Sequence, residues 1–134
     1  MVDRIFDLEE RTKEFAKQIV SFSNTVPRNI ANDVLIRQIV RSGTSVGANY
    51  REANDSLSYK DFILRLRIAR KEAKETLYWL EIIDANCGKG ENQLKLTEAN
   101  RLLQTETKEL VKILSAAINT ALQNVSREKN EPEH

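Results

Sequence analysis

Four stretches of the chain place apolar residues at alternating steps of three and four, the spacing that lines one face of an α-helix. The first carries Ile5, Leu8, Thr12, Phe15, Ile19 and Phe22 and predicts a helix over about residues 3–24, with Asp3 as its N-cap. Asp7 with Arg11 and Glu9 with Lys13 stand acid before base at i,i+4 on its wet side. Ser23, Asn24 and Pro27 end the pattern, because proline cannot continue a helix and disfavours helix in the residue before it.

The second stretch predicts a helix over about 29–54. Ala31, Leu35, Ile39, Ser42, Val46 and Ala53 share its inner face, with Ile36, Val40, Gly43 and Gly47 beside them. A glycine inside a helix costs about 1 kcal/mol relative to alanine, so two of them need a reason. Gly43 and Gly47 are four residues apart and stack on one face, which predicts close approach of another helix backbone there. A phosphate-cradling glycine loop would need a preceding strand and a following Gly-Lys-Ser/Thr, and the chain has neither.

Ser58-Tyr-Lys-Asp61 opens the third helix, about 58–86, like a capping box with Asp in the Glu/Gln place. Its core stripe is Phe62, Leu66, Ala69, Ala73, Leu77 and Leu80, while Leu64, Ile68, Trp79 and Ile82 project from a different side. Two apolar faces call for two partners: the chain's own core and, as the expected oligomer interface, a neighbouring subunit. Asn86-Cys-Gly-Lys-Gly90 ends this helix, with Gly88 or Gly90 suited to the left-handed cap. The fourth helix, about 95–126, carries Leu96, Ala99, Leu103, Leu110, Leu114, Ala117 and Ala121. Residues 127–134 have no apolar member and are expected to form a disordered tail. Short links between long helices make neighbours antiparallel, so the expected fold is all-α: one up-down four-helix bundle over residues 1–126.

Charge and chemistry refine this picture. The chain of 134 residues has 21 basic and 20 acidic residues, so no global field draws it to nucleic acid or a membrane surface. One cysteine, Cys87, excludes an internal disulfide and fits a reducing compartment. The charged N-terminus is no signal peptide, and no apolar run nears the ~20 residues of a membrane span, so a cytoplasmic location is expected. The single histidine is His134, the last residue. One Cys and one terminal His make neither a zinc site nor a Cys–His nucleophile, and the Glu-x-x-His of di-iron bundles is missing. The chain is therefore expected not to be an enzyme and to need no metal or cofactor.

The charges are, however, unevenly placed. Residues 37–74 hold nine basic residues against four acidic ones, an excess of +5 that leaves −4 for the rest of a +1 chain. Lys60, Arg67, Lys71 and Lys74 fall within about 60° of arc on the third helix, opposite its core stripe. With Arg37 and Arg41 they are the candidate contacts for a phosphate backbone; the plain alternative is a solvated helix face.

The central block IRQIVRSGTSVGANYREANDSLSYKDFILRLRIARKEAKETLYWLEII resembles the four helix bundle proteins that include those encoded in the intervening sequences of bacterial 23S rRNA genes. The likeness lies in SGTSVGANYREA, the SYKDF helix start and IARKEAKETLYWLE, about a third of the chain. Asn49 and Glu52 match the family pattern, whereas Ala53 stands where Gly is common and Lys71-Glu72 where many members have Gly-Ser. Lys71, Glu72, Glu75 and Trp79 match the branch with Lys-Glu-Ala and Glu-Thr-x-Tyr-Trp-Leu. The resemblance implies an up-down bundle assembled as a homopentamer, in a family whose role is largely unknown. It extends distantly to the accessory variability protein of diversity-generating retroelements, a strongly basic pentamer that binds nucleic acid, whose charge this chain does not share. Two functions stay open: an accessory factor of a ribonucleoprotein, binding RNA or DNA, or a protein–protein scaffold with no nucleic-acid contact.

Overall fold

The computed structural model describes residues 7–87 and 93–130. They form four helices and no strand: α1 (Leu8–Ser23), α2 (Ile30–Asn54), α3 (Tyr59–Cys87) and α4 (Leu94–Asn130). Each helix packs on its neighbours in sequence and α4 returns to α1, which closes an antiparallel up-down four-helix bundle.

The helix starts follow from their caps. The Asp7 carboxylate accepts from the Glu10 amide (3.1 Å) and opens α1, while the expected cap Asp3 and the stripe residue Ile5 lie outside the described residues. Asn29 accepts from the Asn32 amide (2.8 Å) to open α2, and Ser58 Oγ accepts from the Asp61 amide (3.2 Å) to open α3. Gly88, Gly90 and His134 also lie outside the described residues. At the other end, α4 continues to Asn130 instead of stopping at 126. Arg127, Glu128 and Lys129 are good helix formers, and the two cations sit in the last turn, where the helix dipole favours them. The expected tail from residue 127 is thus helical through 130.

The core runs the length of the bundle through Phe15, Ile19, Ile39, Val46, Leu66, Leu80, Ile83, Leu110 and Leu114, all at most 1% exposed. The buried arcs differ in places from the apolar stripes. On α2, Ala31 is exposed and Leu35 half-buried, while Asn32 is buried, its amide donating to the Pro27 carbonyl (2.9 Å) and its Oδ1 accepting from Asn86 (2.8 Å). On α3, Phe62 and Leu77 are half-buried, whereas Ile63, Glu72, Thr76 and Ile83 are buried. A helix flanked by two others buries a wide arc, so its buried set extends to both sides of the apolar stripe. On α4, Asn100 is buried and donates to the Leu80 carbonyl (2.9 Å).

α1 lies against the two glycines of α2. A methyl group at Gly43 would sit 2.9 Å from Ile19 Cγ2, and one at Gly47 would sit 2.9 Å from Thr12 Oγ1 and 3.4 Å from the Thr12 carbonyl carbon. At the same edge Arg11 grips Glu106 of α4 with two hydrogen bonds (2.7 and 2.9 Å), pinning α1 on its other side.

Candidate nucleic-acid interface

α3 meets α2 along a polar seam. Thr76 Oγ1 lies 2.9 Å from Ser42 Oγ, and two turns further along α2 Asn49 Oδ1 accepts from Arg65 of α3 (3.3 Å). At the outer edge of this seam Arg41 reaches across from α2, donating from Nη1 to Glu72 Oε2 (3.0 Å) and forming a second ion pair with Glu75. Glu75 also accepts from Trp79 Nε1 (3.3 Å). Glu72 is buried, so its charge needs a partner there, and a guanidinium with two usable edges serves both carboxylates. Residues 72, 75, 76 and 79 are spaced to share one flank of a helix. Asn49, Glu72, Glu75 and Trp79 are thereby gathered into one structural seam. Glu52 is exposed near the end of α2, Ala53 is buried, and Lys71 stands outside the seam.

The remainder of the outer face of α3 divides into two flanks. Ile68 and Trp79, on the flank toward α2, are half-buried, as is Ile82, which shares with Leu64 the line between the flanks; Leu64 is 53% exposed. The flank toward α4 carries Lys60, Arg67, Lys71 and Lys74, all exposed. Among the described residues none of these four is in an ion pair, a state they share with other surface cations such as Lys13, Lys17 and Lys108, while Arg11, Arg28, Arg41, Arg101 and Lys112 are paired. Arg70 is turned inward to Ser115 of α4 (3.3 Å). Arg37 is exposed on α2 beside the seam. The six candidate cations therefore fall into different situations: four form one solvent-facing row, Arg37 stands apart on α2, and Arg41 is already neutralised by two carboxylates. The pattern of charges along the chain could not separate them, because pairing depends on which helix faces which. It also passes over Tyr78, which is 55% exposed one turn beyond Lys74.

Elsewhere the chemistry is quiet. Burial pushes the Cys87 thiol up, with a hydrogen bond from Asn32 (3.5 Å) opposing it, so the sulfur is held as a neutral thiol. A cleft between α1 and α4 is lined by Asp7, Glu10, Glu14 and Glu106, with Arg11 among them. The hydrogen bond to Glu106 holds the Arg11 guanidinium firmly protonated. Among the described residues no group of three or more His, Cys, Asp or Glu is arranged to hold a metal ion. No described helix is long and apolar enough to cross a membrane.

The sequence profile of the 23S rRNA-intervening sequence proteins matches residues 6–120. The chain belongs to this family. Its fold agrees with a crystal structure from Bacteroides thetaiotaomicron, of a protein with unknown function from the S23 ribosomal protein family. That protein is 36% identical, with a TM-score of 0.71, and the match covers 82% of this chain and 96% of that one. No curated protein matches the chain. The family is therefore established, while the family name describes where such genes lie and not what their products do.

Proposed function

We propose that this chain is a non-catalytic, self-assembling helical-bundle protein of the cytoplasm that associates with nucleic acid as an accessory factor of a ribonucleoprotein. The observation that carries this reading is the alignment of four exposed cations, Lys60, Arg67, Lys71 and Lys74, on one face of α3, none of them in an ion pair among the described residues. Lys60, Arg67, Lys71 and Lys74 would neutralise phosphates, with Arg37 as an outlying contact. One subunit offers few such contacts and would bind weakly. An assembly repeating the row would bind more tightly wherever one nucleic acid reaches several copies. Self-assembly is supported by the exposed Leu64 with the half-buried Ile68, Trp79 and Ile82 beside it, and the number five rests on family resemblance.

Titration with structured RNA at two salt concentrations tests the proposal. Binding should be weak and steeply salt-dependent, log affinity falling by about 0.9 per phosphate neutralised for each unit of log salt on a duplex. The triple change Arg67→Glu, Lys71→Glu and Lys74→Glu should abolish it while the helical circular dichroism spectrum persists. No binding at low salt would leave the second reading, a protein–protein scaffold, which the same apolar residues favour.

A further inference from the structure

We infer that the basic row of α3 takes single-stranded nucleic acid, with the ring of Tyr78 as a stacking platform for one base; this rests on the nucleic-acid reading above and adds the form of the ligand. Tyr78 lies on the flank that carries Lys71 and Lys74, four residues beyond Lys74 and seven beyond Lys71. At 1.5 Å per residue those separations are about 6 and 10 Å along the helix. Tyr78 is 55% exposed, and its ring is braced. It meets the Trp79 ring edge to face, with centroids 5.0 Å apart and planes at 67°. Trp79 is in turn held by its hydrogen bond to Glu75 and by packing against the core.

The Tyr78 hydroxyl makes no hydrogen bond to the described residues. An exposed tyrosine whose ring rests against a neighbouring ring, beside unpaired cations, is a combination that grips a single strand. The cations hold phosphates while the ring stacks on a base, and every base has a face to offer. A duplex hides those faces in its own stack and would engage the cations alone. The surroundings also give the strand a direction. Glu81 is exposed one turn beyond Tyr78 and repels phosphate, so the path runs back over Lys74, Lys71 and Arg67 to Lys60, a row about 27 Å long at the helical rise. At its far end Lys60 and Arg67 border an open groove shared with Tyr59, a second aromatic 40% exposed, and with the carboxylates Asp61 and Glu128, which bound the path there as Glu81 does at the other end.

The test is fluorescence anisotropy on the full chain with a labelled single-stranded oligoribonucleotide, the oligodeoxyribonucleotide of the same sequence, and the blunt RNA duplex. Both single strands should bind more tightly than the duplex, and alike, because stacking ignores the 2′-hydroxyl. Tyr78→Ala should weaken single-strand binding roughly ten-fold. It should leave duplex binding and the salt slope unchanged, while Tyr78→Phe keeps wild-type affinity. Equal binding of strand and duplex, with no effect of Tyr78→Ala, overturns the stacking role and leaves the charge-driven reading standing. No binding to any probe overturns both. If Tyr78→Ala loses binding together with the wild-type mass in light scattering, the ring serves self-association and the inference fails.

Discussion

Replacing Gly47 with alanine adds one methyl group where α1 leaves no room for it. The new carbon would lie 2.9 Å from Thr12 Oγ1, 3.1 Å from Thr12 Cβ and 3.4 Å from its carbonyl carbon. Comfortable carbon contacts begin at about 3.5 Å. Thr12 cannot swing aside, since it is fully buried and its hydroxyl donates to the Leu8 carbonyl at 2.7 Å. α1 must therefore back away by several tenths of an ångström and loosen Phe15 and Ile19 behind it. Overpacking of this kind costs about 1–3 kcal/mol. Against it stands the helix preference for alanine over glycine, about 1 kcal/mol in the opposite direction. The two effects oppose each other, and the clash should win by up to about 2 kcal/mol. Urea unfolding followed by circular dichroism, at one fixed protein concentration, should show a lower midpoint with an unchanged slope. Thr12→Ala removes the nearest clashing atom, so the double variant should be less destabilised than the two single changes summed. A Gly47→Ala protein more stable than wild type would refute the close approach and leave the glycines as mere weak points in α2.

Arg41→Ala should destabilise the bundle by about 1–2 kcal/mol in urea, less than for a fully buried pair because Arg41 is half exposed. Since its charge is already taken by Glu72 and Glu75, the same variant should leave nucleic-acid affinity nearly unchanged, which separates it from Arg67→Ala. Cys87 should resist iodoacetamide in the folded chain at mildly alkaline pH and react once the chain is unfolded in urea. Because burial raises its folded-state value, its contribution to stability is complete below the ordinary thiol range and is lost as pH climbs from that range through the raised folded value. For self-assembly, Leu64→Glu is the cleaner probe than a change at Trp79, whose ring also packs on the core. It should lower the mass in size exclusion with light scattering, and an unchanged mass would move the interface elsewhere.

What the sequence determined by itself was the local and periodic part of this protein. Stripes such as Leu8, Thr12, Phe15, Ile19 and Phe22 define helices because the 3.6-residue period is a property of one backbone segment alone. Asn29 and Ser58 mark helix starts for the same reason: their side chains bond amides only three residues away. Gly43 and Gly47 announced a close approach, since two costly residues on one face need a compensating contact. The identity of that contact, Ile19 and Thr12, came only from the packing of α1 on α2. Tertiary structure likewise decided the polar interior. Glu72, Thr76, Asn32 and Asn100 are buried because partners from other helices or turns, up to 55 residues away in the chain, satisfy them. It also sorted the cations. Arg41 and Lys71 look alike in sequence, yet one faces two carboxylates across a seam and the other faces water. That difference depends on where one helix is set against the next, through contacts between residues far apart in the chain, which the period of a single helix does not encode.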